Sequence, residues 1–295
     1  MKIISWNVLG LGNPQTRLAM RKILQQDRPQ LIFVRETKLE AVKIHEECKK
    51  LGFDECFTVS RNGKSEGIVI MWKSDINVHI LSYSRHYIDV KVQSGNGKKW
   101  RCTGVYGHPE AQQKQHTWTL LRRLSGLSSK PWLCFGDFNE ILRLDEKSGG
   151  NDKNIRMVSE FKEAVQDSKL ADLGYKGYQF TWCNGMDGQH FVEERLDRFL
   201  CNEEWGNHFQ EQPCQNLVSV GSDHYPIMME IKKKGPGLQY VKKTFPRVHY
   251  EDMWSSYDTC KSIIKAEWEN YGVVKGGSPV MQFKVVAKSS LAHLK

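Results

Sequence analysis

Short apolar runs of strand length alternate with segments of helical periodicity from the first residues to Ile231. That alternation constrains the fold more than any other feature. It predicts an α/β or α+β sandwich in which sheets pack together and helices cover them. Strands are expected at Lys2–Val8 and Leu31–Arg35, with a helix between them capped by Thr16 and running to Asp27, its Leu18, Ile23 and Leu24 on one face. A surface helix over Glu40–Leu51, closed by Gly52, precedes a meander of strands at Phe53–Ser60, Gly67–Lys73, Val78–Ser82, Tyr87–Gln93 and Lys99–Tyr106. Asn96-Gly97 marks one hairpin and Arg61 to Lys64 an exposed basic loop. Helices over Gln112–Leu127 and Ile155–Asp167 flank a buried strand at Trp132–Phe135, and Tyr178–Cys183, Arg195–Cys201 and Tyr225–Ile231 supply the last strands. The apolar runs are far shorter than the roughly 20 residues that cross a bilayer, so no membrane segment is expected.

Composition shifts after Ile231, where Lys232-Lys233-Lys234-Gly235-Pro236-Gly237 reads as a linker. The expected division is a domain over residues 1–232 and a basic, partly helical tail over 233–295. The tail holds 11 Lys and Arg against 5 Asp and Glu, so it carries most of the net charge of +9. The body is only mildly basic, and charge by itself argues weakly for a polyanionic partner there. Eight cysteines are scattered without C-x-x-C spacing, which favours a reducing compartment, and the N-terminus lacks the pattern of a secretory leader. A nuclear or cytoplasmic location, not secretion, follows as the expectation.

Several strands end in polar groups. Ile3 to Asn7 ends in an amide, and Leu31 to Lys38 carries Glu36 just past its apolar stretch. Both side chains suit a hard cation, although either alone reads as a turn asparagine or a surface glutamate. In Trp132 to Glu140, alternation places Asp137 and Asn139 on one side and turns Phe138 away, while Gly136 leaves room for close approach. An aspartate there can take a proton from water, and the amide can orient that water. Asp223-His224 precedes an apolar strand and Asp197 lies within another, so Asp197 could hold His224 protonated against a phosphate.

Taken in order, Trp6-Asn7, Glu36-Thr37-Lys38, Val105-Tyr106-Gly107, GDFN at 136–139, RLD at 195–197 and SDHYPI at 222–227 resemble the endonuclease/exonuclease/phosphatase superfamily. SWNVLGLGNPQTR, QFTWCNG and ERLDRFLCNEEW are similar in particular to the apurinic-endonuclease-like domain of plant LINE-type retrotransposons, and the tail resembles the segment that precedes reverse transcriptase in such elements. The resemblance implies a DNase-I-like four-layer sandwich, two facing mixed sheets flanked by helices. It implies that Asn7 and Glu36 bind Mg2+, with Mn2+ as a substitute, and that Asp223 lies near the metal. Asp137 would activate water, Asn139 position it, Tyr106 and His224 contact phosphate, and Asp197 orient His224. Thr181 would touch the DNA backbone, Arg61 and Lys64 could contact phosphates or simply be solvated, and the loop Asn184 to Gln189, which reads as a glycine-rich hairpin connection, is also a candidate for target choice. Arg35, a bulky cation beside Glu36, should be turned from the metal by alternation.

The expected activity is therefore a monomeric, Mg2+-dependent endonuclease that nicks one DNA strand, with no partner protein indicated. Other superfamily activities on abasic DNA, RNA or phosphoinositides share the same core. A catalytically silent nucleic-acid-binding remnant is the reading from another class.

Overall fold

The computed structural model describes residues 1–59, 67–95 and 97–234. Arg61, Lys64, Asn96 and the expected partly helical tail from residue 235 onward lie outside the described residues. The order is β1 (Lys2–Asn7), α1 (Pro14–Asp27), β2 (Leu31–Arg35), α2 (Ala41–Lys50), β3 (Glu55–Val59), β4 (Ile68–Trp72), β5 (Ile76–Ser84), β6 (Tyr87–Ser94) and β7 (Trp100–Tyr106). Then come α3 (Lys114–Ser125), β8 (Trp132–Asp137), β9 (Lys147–Ser148), α4 (Ile155–Asp167), β10 (Leu170–Asp172), β11 (Tyr175–Gly177) and β12 (Trp182–Cys183). The chain continues through β13 (Glu193–Glu194), β14 (Asp197–Asn202), α5 (Glu203–His208), β15 (Cys214–Asn216) and β16 (Ile227–Glu230).

Two mixed sheets face each other, ordered β11-β15-β16-β1-β2-β4-β3 and β10-β14-β8-β7-β6-β5, and a small third sheet joins β12-β13-β9. Strand alternation builds three apolar layers. Ile3, Leu31, Phe33, Ile68 and Ile70 of one sheet meet Ile88, Val90, Leu133, Phe135 and Phe199 of the other. The opposite faces carry helices. Ile4, Trp6, Ile32 and Val34 pack with Met20 and Ile44 of α1 and α2, whereas Val105, Trp132, Cys134 and Leu200 pack with Trp118, Leu121 and Phe161 of α3 and α4. The result is the expected four-layer sandwich.

Local chemistry moves several boundaries. Asn13, not Thr16, caps α1, because its side chain accepts from the Gln15 N–H at 2.9 Å and Pro14 opens the helix. Thr16 is buried and donates to the Gly221 carbonyl at 2.7 Å, and Leu18 faces solvent while Ala19 and Met20 pack inward. Of the strand expected over Tyr178–Cys183 only Trp182–Cys183 forms, as β12, and the unexpected β11 ends just before that range at Gly177, where the backbone turns at φ +91°. Residues 184–189 do form a hairpin connection, with Asn184 accepting from the Met186 and Val192 N–H groups. Gly136 has φ +137°, and a Cβ there would lie 2.0 Å from the Val105 carbonyl. The close approach that Gly136 permits is that of the β7 backbone.

Candidate active site

The inward-facing rows end in polar residues at one edge of the inter-sheet space. On β1 the row runs Ile3, Ser5, Asn7; on β2, Leu31, Phe33, Arg35; and on β8, Leu133, Phe135, Asp137. On β14 it runs Cys201, Phe199, Asp197 toward the same edge. Pairing brings these ends together. Asn7 lies opposite Arg35, Tyr106 opposite Asp137, and Asp137 opposite Asp197. The loop before β16 adds His224, whose carbonyl accepts from the Trp6 indole at 2.9 Å.

One half of the cluster is rich in oxygen. The Asn7 amide donates to Glu36 at 2.8 Å and reaches Asp137 Oδ2 at 3.4 Å, and the Tyr106 hydroxyl donates to Glu36 at 3.0 Å. Glu36 and Asn139 both hold left-handed backbones, at φ +52° and +55°. Such strain in non-glycine residues persists only where the surroundings impose it. At Asn139 the surroundings are explicit. Its N–H donates to Asp137 Oδ1 at 2.9 Å, its amide donates to the Gly107 carbonyl at 2.8 Å, and its own carbonyl accepts from the buried Lys114 ammonium at 2.6 Å.

The other half is a chain of buried charges. His224 Nδ1 donates to Asp197 Oδ2 at 2.8 Å, and Arg35 donates to Asp197 Oδ1 and to Ser5 at 2.8 Å. Arg35, Asp137 and Asp197 are each 0% exposed. Burial alone would lower the basicity of His224, but Asp197 and Asp137 raise its pKa to about 9. Burial would raise the Asp197 carboxyl, yet the cations of His224 and Arg35 hold it below its usual value. Asp137 goes the other way: burial raises it, and His224 only partly offsets that. Two carboxylates with opposite shifts, beside a protonated imidazole, are suited to separate roles as proton acceptor and as anchor.

Asp137, Asp197 and His224 bring potential ligand atoms within 4.8 Å of one another. Both Asp197 oxygens are already engaged by cations, however, so that trio reads as an acid-base cluster. Asn7, Glu36 and Asp137 are instead joined by hydrogen bonds and offer hard oxygen donors, which fit a cation such as Mg2+. Asp223 is held by other partners: Oδ2 accepts from the Trp182 indole at 3.0 Å and Oδ1 from Ser222 at 3.3 Å, and the Ser222 hydroxyl also lies 2.7 Å from the Asn7 carbonyl. Thr181 is displaced from its expected place at the DNA backbone. It is fully buried, with its hydroxyl accepting from the Leu196 and Asp197 N–H groups and so supporting the start of β14.

A family model described as endonuclease/exonuclease/phosphatase matches residues 4–224. The chain belongs to the endonuclease/exonuclease/phosphatase family. It is a hydrolytic enzyme acting on phosphodiester bonds. The fold is similar to that of the endonuclease domain of TRAS1, a telomere-specific non-LTR retrotransposon, at 12% identity and TM-score 0.60 over 78% of this chain and 97% of that one. It is similar also to the 3′-5′ exonuclease NExo from Neisseria meningitidis, at 18% identity and TM-score 0.60 over 79% and 100% of the two chains. An AP endonuclease from Archaeoglobus fulgidus matches at 14% identity and TM-score 0.60, over 79% and 99%. No curated protein matches the sequence at a comparable level.

Within this endonuclease/exonuclease/phosphatase enzyme, the sequence pattern did not foretell the partner of Arg35 or the role of Lys114. Arg35 is turned from Glu36, as alternation predicts, but that turn carries it to Asp197. The signal was its shared face with Leu31 and Phe33, which placed it inside the sandwich. Lys114, at the start of α3, buttresses Asn139 and also donates to Glu140 at 2.7 Å. Its helical context gave no such signal.

Proposed function

We propose that the protein is a Mg2+-dependent DNA endonuclease that nicks one strand, leaving a 3′-hydroxyl and a 5′-phosphate, and that it derives from a LINE-type retrotransposon. The single observation that carries the chemistry is the juxtaposition of a protonated His224–Asp197 pair with Asp137, a carboxylate of raised pKa, beside the oxygen donors of Asn7 and Glu36. The likeness to the TRAS1 endonuclease domain and the LINE-like motifs support the narrower reading.

Asn7 and Glu36 would hold Mg2+, with Mn2+ as a substitute, and the bound cation would stabilise negative charge on the phosphate oxygens. Asp137 accepts the proton of the attacking water, a task helped by its raised pKa. Asn139, held through its amide nitrogen by Gly107 and through its backbone carbonyl by Lys114, keeps its side-chain Oδ1 available to orient that water. His224 keeps Nδ1 on Asp197, so Nε2–H is the donor for a phosphate oxygen. Tyr106 steadies Glu36 at the edge of the same site. As the water oxygen bonds to phosphorus, the bond to the 3′ oxygen breaks, and that oxygen takes a proton from a solvent water to become the 3′-hydroxyl.

The same reading assigns catalysis to residues 1–232 and leaves 233–295 as an appended basic tail. A chromosomal substrate favours a nuclear location, and among the described residues no helix is long and apolar enough to cross a membrane. The test is conversion of supercoiled plasmid to open circle by the full chain with Mg2+, beside EDTA and Asp137→Ala. Nicking lost under either change supports the reading. Binding without nicking makes the protein a silent remnant, and neither binding nor nicking removes DNA as substrate.

A further inference from the structure

Beside Tyr106 lies a group of imidazoles to which the catalytic chemistry assigns no task. His86, in the β5–β6 turn, stacks on His108 with ring centroids 3.7 Å apart and planes 20° from parallel. On its other side His86 lies nearly parallel to Tyr106, at 6.2 Å and 18°. His116 of α3 extends the group, with its ring 5.5 Å from that of His108. The row thus starts at a residue that donates to Glu36 and leads outward to an exposed helix position.

The inner two rings are fixed in place. His86 Nδ1 donates to the Tyr106 carbonyl at 3.0 Å. The Thr117 hydroxyl lies 3.0 Å from both the backbone N–H and Nδ1 of His108. It can accept from the first and donate to the second, which leaves the His108 Nε2–H directed away from Thr117. His108 is coupled to the catalytic loop as well, because it follows Gly107, whose carbonyl anchors Asn139. Burial, then His86 and His116, lower the His108 pKa to about 4, so at neutral pH this ring is an uncharged aromatic face. Arg85, exposed in the same turn, is the nearby cation.

We infer that His86, His108 and His116, with Arg85, form a nucleotide subsite that receives the DNA strand next to the cleaved phosphate. A base stacks on the imidazole row and Arg85 meets the backbone phosphate. Rigid aromatic faces beside a single cation are the chemistry by which strands are held without regard to sequence. His86 and His108 are half-buried and His116 is exposed, so the row reaches the surface beside Tyr106. A transition metal is a poorer fit, since the one group of described residues that gathers three ligand atoms is at Asp137, Asp197 and His224. The inference rests on the DNA-nuclease reading.

The test is steady-state nicking of a short duplex and of a single-stranded oligonucleotide by the full chain with Mg2+, together with fluorescence anisotropy in Ca2+. His108→Ala should raise KM about tenfold, the size expected for loss of one base-stacking contact, with the loss carried by KM rather than kcat. His108→Phe, which keeps a flat ring but no polar nitrogen, should recover most of it. His116→Ala, at an exposed position where misfolding is no concern, should raise KM about threefold. Arg85→Ala should lower the slope of log affinity against log salt by about one. If the wild type nicks DNA and KM moves less than twofold in both His108→Ala and His116→Ala, the subsite is overturned while the nuclease reading stands. Failure of His108→Phe to recover would overturn stacking as its basis. A wild type that neither binds nor nicks DNA would overturn both.

Discussion

Replacing Arg35 with methionine tests whether the charge chain behind the site is as interdependent as its geometry indicates. Methionine is unbranched and of comparable reach, so the substitution chiefly removes the guanidinium. Asp197 would then keep His224 and lose the donor on Oδ1, and Ser5 would lose its partner. Removing one member of a buried ion pair costs about 3–5 kcal/mol. Because Asp197 retains a second cation, the expected loss is at the lower end, about 3 kcal/mol. In a domain of this size that corresponds to a fall in Tm of roughly 6–12 °C. Urea unfolding of Arg35→Met, Asp197→Asn and the double variant measures the pair directly. A coupling energy of about 2 kcal/mol is expected, with the double variant less damaged than the two losses added. NMR of the His224 ring should also show its pKa moving further up in Arg35→Met, since a nearby cation that opposes protonation is gone. An unfolding free energy within about 1 kcal/mol of wild type, or strictly additive losses, would refute the assignment of Arg35 to Asp197.

The raised pKa of His224 makes stability depend on pH. Its folded value is about 9 against an ordinary 6.5, so its contribution is complete below about 6.5 and lost as pH rises through 9. That contribution is on the order of 3 kcal/mol, and chemical denaturation between pH 6 and 10 should show the decline, largely flattened in His224→Ala. Gly136→Ala should destabilise by roughly 3 kcal/mol or more, because the new methyl would lie 2.0 Å from the Val105 carbonyl at a left-handed φ; a soluble protein with unchanged Tm would contradict this. Lys114→Met should lower the nicking kcat about tenfold more than KM, as Asn139 loses the group holding its carbonyl, and Lys114→Arg should recover part of it; equal kcat in all three proteins would separate Lys114 from Asn139.

The short elements β9, β10, β11, β13, β15 and α5 escaped the sequence pattern, whereas the order of the longer strands and helices, the facing of the rows that end at Arg35 and Asp137, and the polar residues at strand ends were legible in it. These are local properties, because a period of two along a strand assigns a face without reference to any other strand. Thus Leu133 and Phe135 lead inward to Asp137, and Leu31 and Phe33 lead to Arg35. Which polar end meets which was decided by register between distant strands. Arg35 finds Asp197 across 162 residues of sequence because β1, β2, β8 and β14 end at one edge of the two facing sheets. The same packing buried Thr181 beneath β14, filled the space at Gly136 with the backbone of β7, and set His86 of one turn against His108 of another. Residue types and their faces thus follow from the chain alone. Their partners, and with them the shifts that distinguish Asp137 from Asp197, required the close approach and desolvation that only the folded sandwich provides.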